Sequence, residues 1–539
     1  MKKISPVMVA LLSSTFLSAP ALAEWTPENK DGSAYNITAG TASDYNFTTT
    51  DGATTSYWKI NLNADNFSTS DSISWSTDSI GSTGSVEVQL PNNKTKTLYY
   101  TYTKPANYTE TNSRIENVYE GNATSKLFKN IEISSSGGAV YTDANGDNIA
   151  SDFIGNSASG NGNIDGGAVN IYSSYGDTFG DVTGDFIDNH ADSDNGVAHG
   201  GAISTNSRVF GNVTGDFINN GTSGTTAFGG AIYRSSSYGT TFGDITGNFI
   251  GNQAQGTNDA YGGAIYGSST TFGDITGNFI DNHAEATNYA TGGAISASEL
   301  GNISGDFIGN SASGNSAAGG ALSTNFAENA TGNFIGNHVQ GKESAVGGAI
   351  YSYSSYGGAF GNITGDFIGN YAVSDEGEAH GGAIFGDYTF IGISAKDGNT
   401  SLFSGNYVQN SNGDKDYEAI YMNEGELYLS TSNNGSITFD DKINGSNYDL
   451  NIYGDGTGVV KFNNEVKGVT NFTLGENSIT HLGMNSKVYA ENMIIDNSAT
   501  LIVETSPIIT VDVEVDKGNN TVNAGQIHVD NDIEGDYRV

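Results

Sequence analysis

The chain has 539 residues, among them 74 glycines, 6 prolines and no cysteine, and its 21 Lys and Arg against 60 Asp and Glu give a formal net charge of −39. Glycine without a three-residue period or abundant proline excludes a collagen-like helix. Disulfides are impossible, a content of 36% hydrophobic and 11% aromatic residues argues against wholesale disorder, and an acidic chain without basic clusters argues against nucleic acid or anionic lipid as a partner.

Residues 1–23 read as a secretory signal. Lys2 and Lys3 supply the positive start, residues 7–17 the short apolar run, and Ala21-Leu22-Ala23 the small-residue cleavage site, so cleavage is expected between Ala23 and Glu24. No later run reaches the roughly 18 apolar residues of a membrane-spanning helix. Residues 24–130 hold strand-like runs such as Val86-Glu87-Val88-Gln89-Leu90 and are expected to cap a repeat array.

The repeats fill residues 131–410. Gly-Gly-Ala followed by Val, Ile or Leu occurs nine times, its first glycines being Gly137, Gly166, Gly200, Gly229, Gly262, Gly292, Gly319, Gly347 and Gly381. Between them lies Phe-Ile-x-Asn, ending in Asn156, Asn189, Asn220, Asn252, Asn282, Asn310, Asn337 and Asn370. A weaker Phe-Gly-Asp-Ile-Thr-Gly precedes most copies of the second motif, as at Phe242 and Phe272. A period of about 30 residues marks a solenoid. Gly, Asn, Ser and Thr between the apolar positions disfavour helix. Proline is absent between Pro105 and Pro507, so backbone ladders can run unbroken. We expect an all-β, right-handed parallel β-helix with one coil of three short strands per repeat. Glycine pairs would supply positive φ at one corner. Asparagine would supply another corner, because it tolerates the left-handed region, and would stack into an amide ladder. Phe and Ile would form apolar columns, although strand alternation lets only one of them face inward unless the chain bends. Residues 411–539 lose the repeat but keep alternating runs, and are expected to continue the β-helix with other corner chemistry; a separate sandwich is the alternative.

Candidate chemistry is sparse. Asp181, Asp185 and Asp188 lie close together, but equivalent positions recur in other coils as Asn212, Asp216 and Asn219. A catalytic site should occur once, so these read as solvated corner residues. His190, His283 and His338 follow the ladder asparagine and His199 and His380 precede Gly-Gly, which suits corner hydrogen bonding. Serine is too frequent for spacing to select a Ser-His-Asp triad. The stretch 143–148, Asp-Ala-Asn-Gly-Asp-Asn, is a poor calcium loop, so no metal and no cofactor is expected. The three longest coils carry Ser-Ser-Tyr-Gly insertions, which read as projecting loops. Their Tyr175, Tyr238 and Tyr356 are the expected ligand contacts, since tyrosine among serine and glycine suits adaptable recognition.

Gly-Gly-Ala-Ile alternating with Phe-x-x-Asn over residues 137–406 resembles the passenger repeats of autotransporters of the polymorphic outer-membrane-protein type, surface proteins of Gram-negative bacteria. The resemblance implies a β-helical passenger exported by the Sec route and displayed for adhesion to a host or neighbouring cell, its glycans or its matrix. Such proteins carry a translocator barrel of about ten-residue alternating strands. The tail after the passenger-like region, which closes on Asp536-Tyr537-Arg538-Val539, leaves no room for one. The expected location is therefore the cell surface, outer membrane or extracellular space, or the periplasm without a separate translocator. The expected function is a non-enzymatic adhesin. A glycan-active hydrolase or lyase on the same fold and a purely structural stalk are the alternatives.

Overall fold

The computed structural model describes residues 105–503, apart from 120, 144–146, 173–177 and 355–357; outside that range it describes only the backbone of short strands. Every regular element among the described residues is a strand, and the strands pair in parallel from one repeat to the next. The protein is a parallel β-helix. It forms two compact units, residues 1–315 and 316–539.

In the first unit, one coil runs through Phe186–Ile187, His190–Ser193, Val197–His199, Ile203–Thr205, Val209–Phe210 and Val213–Thr214. Phe217–Ile218 then begins the next coil. Each segment pairs with its counterpart one repeat on: Phe186 with Phe217, His190 with Gly221, Ala198 with Ala227, Ile203 with Ile232 and Val213 with Ile245. A coil therefore holds six short segments rather than three, and some fuse, as in Gly221–Phe228 and Ile295–Ser304. The segment after the ladder asparagine and the segment after Gly-Gly-Ala belong to different sheets.

The columns expected from the motifs are present. Phe128, Phe153, Phe186, Phe217, Phe249, Phe279 and Phe307 are buried. Their rings stack between 4.7 and 4.9 Å apart, centroid to centroid, the spacing that neighbouring strands impose. Each such burial stabilises by roughly 1.5–3 kcal/mol. Ile187, Ile218 and Ile250 are buried as well. Both residues of Phe-Ile can be internal because the strand is two residues long and the chain turns at the next position. That position carries the positive φ: Asp188 at 53°, Asn219 at 54°, Gly251 at 64°, Asp281 at 54°. The left-handed residue is thus x in Phe-Ile-x-Asn, and the asparagine after it serves another purpose.

That purpose is the ladder. Asn189 donates its backbone N–H and its Nδ2 to Asn220 Oδ1, at 3.1 and 3.0 Å, and its Nδ2 also to Phe153 O. Asn220 repeats the pattern toward Asn252, and Asn252 toward Asn282. Each amide is fully buried and its polar atoms are matched. The glycine pair divides its work. Gly229 takes φ 59°; Gly230 does not, but an added Cβ there would lie 2.1 Å from Gly263 O of the next coil.

In the second unit the ladder runs Asn337, Asn370, Asn406 and ends on Asp441, whose carboxyl accepts from Gly405 N, Asn406 N and Asn406 Nδ2. Phe334, Phe367, Phe403, Phe439 and Phe462 stack beside it. Ile384–Lys396 pairs in parallel with Glu418–Ser432, and that with Tyr448–Gly454. The β-helix therefore passes residue 410 without a break and continues through Lys487–Ile495 and Thr500–Val503. On the N-terminal side, Thr124–Lys129 pairs in parallel with Ile149–Ile154. Within the expected cap, Thr83–Leu90 pairs antiparallel with Lys94–Thr101.

Candidate functional site

Of the expected ligand contacts, Tyr175 and Tyr356 lie outside the described residues, as do Ala23 and Glu24. Tyr238 lies within the strand Ile232–Phe242, but its side chain is outside them too. Of the carboxylates read as solvated, Asp181 is exposed while Asp185 and Asp216 are buried. They are internal rungs: Asp185 N donates to Asp152 Oδ1 at 2.9 Å, Asp216 N to Asp185 Oδ1 at 3.0 Å and Asn248 N to Asp216 Oδ1 at 2.9 Å. Burial raises the Asp185 carboxyl, with help from the Asp152 and Asp216 charges, and burial pushes Asp216 to about 7. Among the described residues no three His, Asp or Glu side chains group closely enough to hold a metal ion.

A surface feature that motif spacing had not singled out lies beside the glycine corner of the first unit. Two positions flank the corner, one before Gly-Gly and one after Gly-Gly-Ala-Ile. They hold His199, Phe228 and Tyr261 on one side and Tyr233 and Tyr266 on the other. Parallel pairing sets Phe228 against Tyr261 and Tyr233 against Tyr266. The rings form one connected patch. His199 lies 4.1 Å from Tyr233, Phe228 lies 5.0 Å from Tyr261 and 4.6 Å from Tyr266, and Tyr233 lies 5.7 Å from Tyr266. Tyr289, 37% exposed, extends the patch at 5.9 Å from Tyr261. All five corner rings are half-buried. The flanking coils place Asn170 and Ser204, or Thr291 and Ser296, at the same positions, so the patch is confined to part of the unit.

Its electrostatics are acidic. His199 Nδ1 meets Asp165 Oδ1 at 2.7 Å, and Asp165 Oδ2 accepts from the Ser136 hydroxyl at 2.8 Å. Burial works to raise the Asp165 carboxyl, but the hydrogen bond and charge of His199, with Ser136, bring it below its ordinary value. Burial pushes the hydroxyls of Tyr233 and Tyr261 up to about 12, so both remain donors. Asp259 sits half-buried two residues before Tyr261. Arg234, next to Tyr233 in the chain, is fully buried and offers no surface cation.

On the sheet that carries His199, Phe228 and Tyr261, a polar trough of about 390 Å³ is lined by Ser193, Asp194, Ser223, Gln255, Thr257 and Glu285 among others. Close by, His283 Nδ1 lies 2.7 Å from Ser311 Oγ and His283 Nε2 lies 3.4 Å from Asp281 Oδ2. This is a Ser-His-Asp grouping that spacing could not select. Burial works to lower the His283 imidazole, yet the hydrogen bond and charge of Asp281, with Glu285, raise it, which disfavours the neutral base. The Ser311 N–H donates to Asn282 O and the His283 N–H to Asn252 O, so neither is turned toward a developing oxyanion.

No family model, no curated protein and no solved structure matches the chain. Function must therefore come from the surface. The second unit repeats the corner arrangement: His380, before its Gly-Gly, lies 4.2 Å from Tyr421, which stacks on Phe385 at 5.5 Å, and His380 Nε2 meets Glu378 Oε2 at 3.3 Å. A histidine seated on a tyrosine of the next coil and facing a carboxylate thus occurs in each unit. Repeat alignment carries the signal in the residues that flank Gly-Gly-Ala-Ile, which vary while the motif does not. Among the described residues no helix is long and apolar enough to cross a membrane.

Proposed function

We propose that the protein is an exported surface passenger that acts as a non-enzymatic adhesin. The observation that carries this reading is the half-buried aromatic patch of His199, Phe228, Tyr233, Tyr261 and Tyr266, with the exposed Tyr289 beside it. Aromatic side chains with polar tips give large contact area with little conformational freedom to lose, which favours binding over structure at exposed positions. The acidic start-to-finish composition, the signal-like residues 1–23 and the passenger-type repeat support export and display. In the Ser311, His283 and Asp281 grouping the Ser311 and His283 N–H groups are spent on Asn282 O and Asn252 O, and the raised imidazole disfavours the neutral base, so the grouping does not move the reading toward catalysis.

Attachment of purified, fluorescently labelled protein to cultured cells and to matrix-coated surfaces tests this. Saturable attachment is expected, reduced at least tenfold in Tyr233→Ala/Tyr266→Ala. Absence of attachment to every cell and coat would overturn it.

A further inference from the structure

We propose that Asn444 in the second unit is a self-modification site: the Gly445 amide nitrogen closes on the Asn444 carboxamide, ammonia leaves past Glu418, and the residue becomes a succinimide and then aspartate or isoaspartate. Adhesion plays no part in this chemistry. Three features carry it. First, the nucleophile faces its target. Gly445 N–H donates to Asn444 Oδ1 at 2.9 Å, which sets the nitrogen beside the carboxamide carbon that it must attack. In four other Asn-Gly pairs the glycine N–H is committed elsewhere. Gly196 N donates to Ser193 Oγ at 2.7 Å, and Gly221 N to Asn189 O, Gly413 N to Asn410 O and Gly435 N to Ser432 O, each at 2.9 Å. Asn161 and Gly162 are both exposed and give an unassisted reference.

Second, the leaving amine is held by a buried acid. Asn444 Nδ2 donates to Glu418 Oε2 at 2.8 Å, and Glu418 Oε1 accepts from Gly381 N at 2.7 Å. Glu418 is 2% exposed, and burial pushes its carboxyl to about 7. Near neutrality it therefore still carries, in part of the molecules, the proton that departing ammonia needs. Third, the backbone is loosely tied at this point. Pairing with the next coil stops at Ile443 with Val466 and resumes at Tyr448 with Val469. Residue 445 must also be glycine, since an added Cβ would lie 2.3 Å from Met422 O and 2.7 Å from the Tyr448 ring; without a side chain its nitrogen is unhindered. Gly445 N loses its proton to hydroxide as it bonds to Asn444 Cγ. The Cγ–Nδ2 bond breaks, and Nδ2 leaves as ammonia with a proton from Glu418, which solvent restores. Water then opens either carbonyl of the ring. Aspartate sets a second carboxylate against Glu418, and isoaspartate lengthens the backbone by one methylene, so either product destabilises the coil.

The test ages the full chain at 37 °C between pH 6 and 8.5 and maps its peptides by mass spectrometry, with enzymatic methylation to mark isoaspartate. Asn444 should lose its amide roughly tenfold or more faster than Asn195, Asn220, Asn412 and Asn434. The pH profile separates assistance by Glu418 from simple exposure. Loss at Asn161 should rise with hydroxide over the whole range. Loss at Asn444 should level off above about pH 7, where Glu418 gives up its proton. Glu418→Gln should slow Asn444 about tenfold at pH 6.5 and return it to hydroxide dependence, with circular dichroism as the fold check. The comparison among sites needs no variant and stands even if Glu418→Gln fails to fold. The proposal is overturned if Asn444 is no faster than the four committed pairs, if its rate tracks hydroxide as at Asn161, or if folded Glu418→Gln keeps the plateau. Ammonia loss that ends in a cross-link to Lys467, or in chain cleavage after Asn444, would overturn it as well, because the nucleophile would then be another group.

Discussion

An amide inside an apolar tube is costly unless its protons and lone pairs are all matched. The ladder asparagines meet that condition only as a set, since each rung is the acceptor of one neighbour and the donor to another. Asn220→Ala would remove the acceptor of the Asn189 N–H, one of the two acceptors of Asn189 Nδ2, and the Nδ2 donor to the Phe186 carbonyl and to Asn252 Oδ1. Leaving buried polar groups unmatched costs about 1–3 kcal/mol each before relaxation, so a loss of at least about 3 kcal/mol is expected in urea unfolding. Asn212 makes a similar rung in an exposed column, accepting from Asp244 N; water can replace it, and Asn212→Ala should cost under about 1 kcal/mol. Equal effects at the two sites would mean that burial does not set the cost. The sequence pattern located the rungs correctly, but its physical reason was misplaced by one residue. The left-handed backbone belongs to Asp188, Asn219 and Gly251, and the asparagine serves the amide ladder that the repeat also led us to expect.

Within the coil, the third element contributes a column of buried carboxyls. Asp152, Asp185 and Asp216 succeed one another in adjacent coils, with the Tyr108 phenol near Asp152 and Asp185 and Asn248 continuing the column. Burial raises Asp216 from 3.8 to about 7, so the folded coil holds a proton that the unfolded chain releases. The stabilising effect is therefore complete below about pH 4 and is lost as pH rises through about 7, on the order of 4 kcal/mol for a three-unit shift. Asp216→Asn should flatten that dependence while keeping the fold, because Asn248 and Asn278 already occupy equivalent rungs. Unfolding midpoints at pH 4.5 and 8 for both proteins check this. An unchanged slope in the variant would assign the dependence elsewhere. These rungs were read from the sequence as solvated because Asp, Asn and Gly alternate at corners either way. A period of 30 residues states which residues share a column, not whether the column faces in or out. The aromatic patch was missed for the related reason that its rings come from positions that vary between repeats, and repetition was the signal being followed. The coil stack itself was legible, since Phe, Asn and Gly-Gly recur with spacings that only a solenoid satisfies.

At the scale of the molecule, two electrostatic effects favour acid and can be separated. A net charge of −39 repels itself across the surface, and lowering pH relieves that repulsion. Both units also hold buried carboxyls pushed up by burial, Asp216 in the first, and Glu418 and Asp441, each at about 7, in the second. Glu418 accepts from Gly381 N at 2.7 Å and from Asn444 Nδ2 at 2.8 Å, and Asp441 closes the ladder on Asn406. Salt distinguishes the two effects. At 0.5 M NaCl the screening length falls to a few ångströms, between about 3 Å at 1 M and 10 Å at 0.1 M, so surface repulsion is largely removed. Proton uptake by a buried carboxyl is little affected. The melting temperature at pH 8 should therefore rise on going from 0.02 to 0.5 M NaCl, and at the higher salt the protein should still melt several degrees higher at pH 5 than at pH 8. If high salt abolishes the difference between pH 5 and 8, the surface alone is responsible and the interior carboxyls are not protonated in the folded chain. If the difference persists and Asp216→Asn with Asp441→Asn removes most of it, the acid preference resides in the coil interior, where it follows from which side chains the repeat stacks inward.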